Sequence, residues 1–180
     1  MTDKRLQTLW DHHEIRELLA TYCHGCDRDD PVEMASTYCL ESWDDHGPNK
    51  CDGREFVDLI LAQSRKSSRV VSHQLGQSQI TVDGDRAGAE TYFIATCVFP
   101  REDGPDILNQ LGGRYVDTLE REDGAWKIKE RLCVREWSCS NPIESDWLAG
   151  AGFIESRRDA KDVSWDVLGK EHSGRSAVSG

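Results

Sequence analysis

Two Asp-Gly pairs, each flanked by long runs of strand-forming residues, constrain the fold of this chain more than any other feature. Asp83-Gly84 separates residues 69–82 from 86–99, and Asp123-Gly124 separates residues 108–121 from 125–138. The four runs are rich in Val, Ile, Thr, Tyr and Phe, and Asp-Gly readily adopts the positive backbone angles of a two-residue hairpin turn. The sequence therefore predicts two long antiparallel hairpins in the second half of the chain.

The first third of the chain has helical features instead. Asp30-Pro31-Val32-Glu33 and Asp52-Gly53-Arg54-Glu55 each place a capping aspartate before a helix start, and the second predicts a helix that reaches about Ser64. Residues 43–46 are predicted to form a connection or a short strand between these two helices. A first helix is predicted from an apolar stripe made of Leu6, Trp10, Ile15, Leu18, Leu19, Tyr22 and Cys26.

Three helices followed by four strands indicate an α+β fold, in which the helices cover one face of a strongly curved sheet. A length of 180 residues fits one domain. We assign residues 1–140 to this domain and residues 141–180 to a C-terminal extension. The extension contains Trp147, Phe153, Ile154 and Trp165, so it is predicted to pack on the barrel or on a neighbouring subunit, and its last residues are predicted to be disordered.

Charge and hydropathy exclude several classes of partner. The chain has 33 acidic and 22 basic residues, a net charge of −11, which disfavours nucleic acid and anionic membranes. No run of eighteen apolar residues occurs, and the N-terminus lacks the pattern of a signal peptide. We expect a soluble cytoplasmic protein.

The seven cysteines are an odd number and mostly fall inside predicted helices and strands, which favours buried thiols over a disulfide framework. Cys23 and Cys26 have the spacing of a zinc-binding pair. No second Cys pair and no His pair of suitable spacing completes four ligands, so we expect no metal site.

Several segments together resemble the SnoaL-like branch of the NTF2-like superfamily over residues 8–140. They are residues 15–22 followed by Asp27, then Ser72-His73, residues 83–87 and residues 123–128. The resemblance implies a cone-shaped barrel in which a mostly antiparallel, strongly curved sheet packs on three N-terminal helices. Lyases of this superfamily include bile-acid 7α-dehydratase, hexachlorocyclohexane dehydrochlorinase and scytalone dehydratase.

The resemblance also implies a catalytic site. Tyr22, Asp27, His73 and Arg135 fall where these lyases place their working groups. His73 would be the general base, oriented by Asp27 as a His-Asp dyad, while Tyr22 and Arg135 would donate hydrogen bonds to developing charge. No metal or organic cofactor is implied.

Each of these residues also has a structural interpretation. Asp27 lies among acidic residues that cap helices, and His73 and Tyr22 fit simple packing. Strict alternation places Arg135 opposite Trp126 and Ile128 unless a bulge intervenes. His12, His13, His24 and His46 show no partner in the sequence.

We therefore predict a cofactor-independent lyase, dehydratase-like or performing a related elimination, that acts on a mostly apolar cyclic or aromatic small molecule. The alternatives are an isomerase or aldol-type cyclase with the same dyad, and a non-catalytic small-molecule-binding protein of the same fold. The resemblance implies a homotrimer, with a dimer as the alternative.

Overall fold

Helices precede the long strands along the chain, as the sequence predicts. The computed structural model describes residues 2–173. Its elements, in chain order, are α1 (Thr2–Asp27), α2 (Pro31–Ala35), β1 (Tyr38–His46), β2 (Asn49–Cys51), α3 (Gly53–Ser67), β3 (Val70–Asp83), β4 (Arg86–Phe99), β5 (Ile107–Glu122), β6 (Ala125–Pro142) and α4 (Val163–Leu168).

The helix starts form for the predicted reason. Asp30 accepts hydrogen bonds from two backbone N–H groups of α2, and Asp52 does the same for α3. Helix α2 is only five residues long, whereas α3 continues to Ser67, beyond the predicted end near Ser64. The added residues, 65–67, include Ser67, which lines a cavity on the concave side of the sheet.

The strands form one six-stranded sheet in the order β2-β1-β6-β5-β4-β3. The two predicted hairpins, β3–β4 and β5–β6, are confirmed, with Asp83 opposite Arg86 and Glu122 opposite Ala125. Residues 43–46 belong to β1, which runs parallel to β6 and pairs Asp44 with Arg131. The α+β prediction and the curved, mostly antiparallel sheet are confirmed. The sheet is not a closed barrel, because β2 and β3 form its two edges among the described residues.

A bulge in β6 changes which side chains face the core. Leu119 pairs with Ile128 and Thr118 pairs with Glu130, so Lys129 is an extra residue on β6. The extra residue shifts by one position the alternation of side chains between the two faces of the sheet. Arg131 therefore lies on the same face as Trp126 and Ile128. Gly113 pairs with Arg135 and Gly112 pairs with Trp137, so Glu136 is a second extra residue on β6.

The core lies between the concave face of the sheet and helices α1 to α3. Close packing of α1 on α2 depends on Gly25, where a Cβ atom would lie 2.6 Å from the backbone nitrogen of Met34. The buried residues of the main cluster include Tyr22, Cys26, Tyr38, Phe56, Phe93, Tyr115 and Ile128.

The segment after β6 returns to the N-terminal helices. Trp165 of α4 is 1% exposed, and its indole lies edge-on to the His24 ring with the centroids 4.8 Å apart. Disorder was predicted for the last ten residues, of which 174–180 lie outside the described part of the chain, whereas the Ser173 backbone N–H donates to Asp30. Among residues 2–173 we find no helix with the length and apolar character required to span a membrane.

Candidate active site

A cavity of about 380 Å³ opens between the end of α1, helix α3 and the concave face of the sheet. Polar groups line one side of it, mainly Gln63, Ser64 and Ser67 of α3 and the following Ser68. Most of its remaining surface is apolar or aromatic, contributed by Phe56, Ile60, Val71, Phe93, Ala95, Phe99, Leu111 and Tyr115. A small apolar cavity with a few polar groups is typical of a site for a small organic molecule.

His73 and Asp27 meet at the wall of this cavity. The His73 Nδ1 atom lies 2.6 Å from Asp27 Oδ1, and the His73 backbone N–H donates to Asp27 Oδ2 at 2.9 Å. Their side chains are only 10% and 11% exposed. A carboxylate partner assigns the ring proton to Nδ1, which leaves the Nε2 lone pair of a cavity-lining imidazole for a substrate.

The positions of both residues follow from the fold. Asp27 is the last residue of α1, and α1 packs across β3, which carries His73. Because β3 is an edge of the sheet, one side of its backbone has no strand partner. Asp27 occupies that side and binds both the backbone and the ring of His73, which fixes the orientation of the imidazole.

Tyr22 also lines the cavity and is 2% exposed. Its ring packs edge-on against Tyr38 and Tyr115. Burial raises the pKa of Tyr22 well above its ordinary value, and the nearby Arg131 charge offsets only part of that effect. Tyr22 therefore remains a neutral phenol that can donate a hydrogen bond into the cavity.

Arg131 is the arginine that the fold places beside Tyr22. It is fully buried, and its Nε and Nη2 atoms donate to the two Asp117 carboxylate oxygens at 2.7 and 2.8 Å. Its guanidinium carbon lies 4.1 Å from the ring centroids of both Tyr22 and Tyr115. Burial alone would lower the pKa of Arg131, but the Asp117 carboxylate holds that pKa well above its ordinary value.

The structure does not bring Arg135 into the cavity. This side chain is exposed, and its Nη2 atom donates to Ser138 Oγ at 3.2 Å. The sequence predicted that Arg135 lies with Tyr22, Asp27 and His73, and the structure places Arg135 outside the cavity instead. Arg131, four positions earlier on β6, is the buried arginine because the Lys129 bulge turns it toward the core.

A second histidine-carboxylate pair lines the same cavity, and sequence reasoning missed it. His46 Nδ1 is hydrogen-bonded to Asp44 Oδ1, and the hydroxyl of Tyr38 donates to Asp44 Oδ2. The His46 ring stacks on Phe56 with the centroids 4.2 Å apart. The signal was the i, i+2 spacing of Asp44 and His46, since this spacing places two side chains on the same face of a strand.

Three possible metal ligands also converge at the dyad. Donor atoms of Cys26, Asp27 and His73 all lie within 4.8 Å of one another, whereas Cys23 is not part of this group. Burial raises the pKa of Cys26 well above its ordinary value and that of Cys23 to about 12. Cys26 is therefore the one member of the Cys23–Cys26 pair that belongs to this group.

Comparison with known proteins places this site in a family. A model of the SnoaL-like domain matches residues 7–132. Among solved structures, the chain is similar to a Novosphingobium aromaticivorans protein assigned as a scytalone dehydratase, with 25% identity and a TM-score of 0.67, over 81% of this chain and 99% of that chain. No protein of curated function matches the chain.

Two more distant structures share the fold. Hexachlorocyclohexane dehydrochlorinase LinA type 3 of Novosphingobium barchaimii is 17% identical, with a TM-score of 0.67 over 84% of this chain and 99% of that chain. The Kfla4162 protein of Kribbella flavida is 18% identical, with a TM-score of 0.66 over 73% and 94%. The SnoaL-like model spans well over half of the sequence and includes both Asp27 and His73. The chain therefore belongs to the SnoaL-like family.

Proposed function

We propose that this protein is a cofactor-independent lyase that eliminates water from a mostly apolar cyclic or aromatic small molecule. The observation that carries the proposal is the His73 imidazole, whose Nδ1 is bound to Asp27 and whose ring lines an apolar cavity. Similarity to a protein assigned as a scytalone dehydratase supports the same class of reaction.

The first step is proton abstraction from a carbon next to a carbonyl group. Nε2 of His73 takes the proton, and Asp27 stabilises the imidazolium that forms. Negative charge then develops on the carbonyl oxygen, and the neutral Tyr22 hydroxyl donates a hydrogen bond to it. The apolar wall of the cavity strengthens this hydrogen bond because it excludes water.

The second step is departure of the hydroxyl group, for which we assign His46 as the general acid. The carbon–oxygen bond breaks, the oxygen takes a proton from His46, and the products are a carbon–carbon double bond and water. The Asp44 carboxylate is hydrogen-bonded to Nδ1 of His46 and fixes the orientation of its ring. A proton returned through solvent from His73 to His46 completes the cycle.

Replacement of His46 by glutamine should slow elimination in a way that depends on the leaving group. Hydroxide leaves poorly without a proton, whereas a halide leaves as a stable anion. We expect kcat to fall about a hundredfold for a β-hydroxy ketone and much less for the matching β-halo ketone, measured by absorbance of the conjugated product. Equal losses for both substrates would contradict the assignment of His46 as the acid.

Isomerisation is the second candidate function, and the His46–Asp44 pair is also the observation that favours it. If no group leaves, His46 could return a proton to a different carbon of the same substrate. Mass spectrometry of the product distinguishes the two reactions, because dehydration gives a product lighter by one water and isomerisation gives no change in mass. A panel of cyclic β-hydroxy ketones and β,γ-unsaturated ketones contains suitable substrates for both tests.

We also propose that the protein assembles as a homotrimer through the outer face of its sheet. Tyr92, Leu132 and Trp137 are 37%, 41% and 42% exposed, and strand alternation places them on the face opposite the cavity. Exposed aromatic and aliphatic side chains on one face of a sheet are typical of an interface between subunits.

Light scattering tests this assembly. We expect a trimer for the natural chain and a smaller species for Trp137→Glu, because a buried carboxylate would have no partner at the interface. Trp10→Glu is the matched control, since Trp10 is 58% exposed and lies on α1, which covers the opposite face of the sheet. A monomeric natural protein at micromolar concentration, or a Trp137→Glu variant that stays trimeric, would refute the proposed interface.

A further inference from the structure

The C-terminal segment, residues 157–173, packs against the end of α1 that carries Asp27. Arg28 connects the two parts: its Nη1 atom donates to the Arg157 carbonyl at 3.2 Å, and its Nε atom lies 3.6 Å from Asp162 Oδ1. The Ser173 backbone N–H donates to Asp30 Oδ2 at 2.7 Å. The segment lies beyond residue 132, where the match to the family domain ends.

Arg158 is the residue of this segment that reaches the site itself. Its Nη2 atom donates to the Cys26 carbonyl at 3.1 Å and to Ser64 Oγ at 3.0 Å, and its Nε atom donates to the Asp27 carbonyl at 3.2 Å. Cys26 and Ser64 both line the cavity. One guanidinium therefore joins the last turn of α1 to α3 directly behind the dyad.

The chemistry of a helix end explains why such a contact matters here. The last carbonyl groups of an α-helix have no partner within the helix, and the final turn frays when nothing binds them. Asp27 is the last residue of α1, so its carboxylate moves with that final turn. A cation at a helix C-terminus also interacts favourably with the helix dipole.

The charge of Arg158 also acts on the cavity wall. Burial raises the pKa of Cys97 above its ordinary value, and Arg158 opposes this shift. The same guanidinium opposes the rise in the pKa of Cys26. Arg158 therefore interacts electrostatically with a thiol on α1 and a thiol on β4.

We propose that Arg158 is a positioning residue, which holds the end of α1 so that the Asp27 carboxylate stays in contact with His73. This inference rests on the proposed catalytic role of the dyad. It means that the catalytic geometry requires a residue outside the domain shared with the family. The role of Arg158 is indirect, because it binds the backbone of Cys26 and Asp27 and acts on substrate only through the imidazole.

The test compares Arg158→Met with Arg157→Met. Arg157 is the adjacent arginine, but its guanidinium is exposed and pairs with Asp159. Proton NMR of the full-length protein reports the hydrogen bond between His73 Nδ1 and Asp27 as a low-field resonance, assigned by its loss in His73→Gln. We expect Arg158→Met to lose or weaken this resonance and Arg157→Met to retain it. The Arg158→Lys variant should keep part of this resonance. Guanidinium ion added to the Arg158→Met variant should also restore part of it.

Kinetics provide a second readout, with a cyclic β-hydroxy ketone as substrate. We expect Arg158→Met to lower kcat about tenfold to a hundredfold with little change in KM, since a small displacement of a catalytic group has effects of this size. An unchanged low-field resonance in a folded Arg158→Met variant would overturn the positioning role and leave the dyad proposal intact. A lost resonance that neither lysine nor guanidinium restores would also overturn it, because general loss of structure would then be the cause.

Discussion

Replacement of His73 by glutamine is expected to lower kcat by about two to four orders of magnitude while the fold stays intact. Glutamine keeps the approximate size and polarity of the side chain, but it cannot accept a proton near neutral pH. Among the described residues that line the cavity, the other imidazole belongs to His46, which is bound to a separate carboxylate. No cavity group positioned by Asp27 would therefore replace the lost base.

Steady-state kinetics on a cyclic β-hydroxy ketone, with circular dichroism as the test of folding, provide the measurement. His13→Gln is the matched control, because His13 is exposed on α1 and lies outside the cavity. Asp27→Asn should show a smaller loss, since the ring would keep its basic nitrogen but lose its fixed orientation. A folded His73→Gln variant with turnover close to that of the natural protein would rule out His73 as the base, and a carboxylate or a tyrosine would have to take that role.

Replacement of Arg131 by methionine is expected to destabilise the protein by about 3–5 kcal/mol, the largest effect on stability that we predict. The substitution keeps much of the apolar volume but leaves the Asp117 carboxylate buried without its partner. It also removes the cation that packs between the rings of Tyr22 and Tyr115. Urea denaturation followed by tryptophan fluorescence measures the change in the free energy of unfolding.

Two further variants separate this explanation from a general effect of removing an arginine. Arg86 pairs with Glu120 across neighbouring strands, but its side chain is 79% exposed, so Arg86→Met should change stability little. The double variant Arg131→Met with Asp117→Asn should recover a large part of the lost stability, because the uncompensated charge is then absent. A double variant as unstable as Arg131→Met alone would show that lost packing, and not the unpaired carboxylate, causes the effect.

Local chemistry was sufficient to predict the elements that lie near each other in sequence. Asp-Gly turns fixed both hairpins, because the positive backbone angles of Asp123 and Gly124, and of Gly84, suit these two residue types. Asp30 and Asp52 marked the starts of α2 and α3 through hydrogen bonds to the next few backbone N–H groups. The pairing of Asp27 with His73 was also predicted, although that expectation came from family resemblance and not from local pattern.

The errors concern residues whose surroundings come from distant parts of the chain. Arg135 was predicted to belong to the site, but it lies on the exposed part of β6, whereas the extra residue Lys129 turns Arg131, four positions earlier, into the core. Nothing in the run Lys127-Ile128-Lys129-Glu130-Arg131 marks that bulge, since it depends on the register with β5 and β1. Leu6 and Trp10 belong to the predicted apolar stripe of α1, but both are exposed because the described chain places no element over them.

The sequence by itself determined the order of the elements, their turns and caps, and the chemical types available for catalysis. These properties depend on interactions within a few residues, and those interactions can form within a short segment without contacts from the rest of the chain. Tertiary structure alone decided that His46 shares a cavity with His73, that Arg131 is buried against Asp117, and that Arg158 binds the end of α1. Each of these contacts joins groups that are far apart in the chain, so only the packing of the sheet, helices and C-terminal segment brings them together.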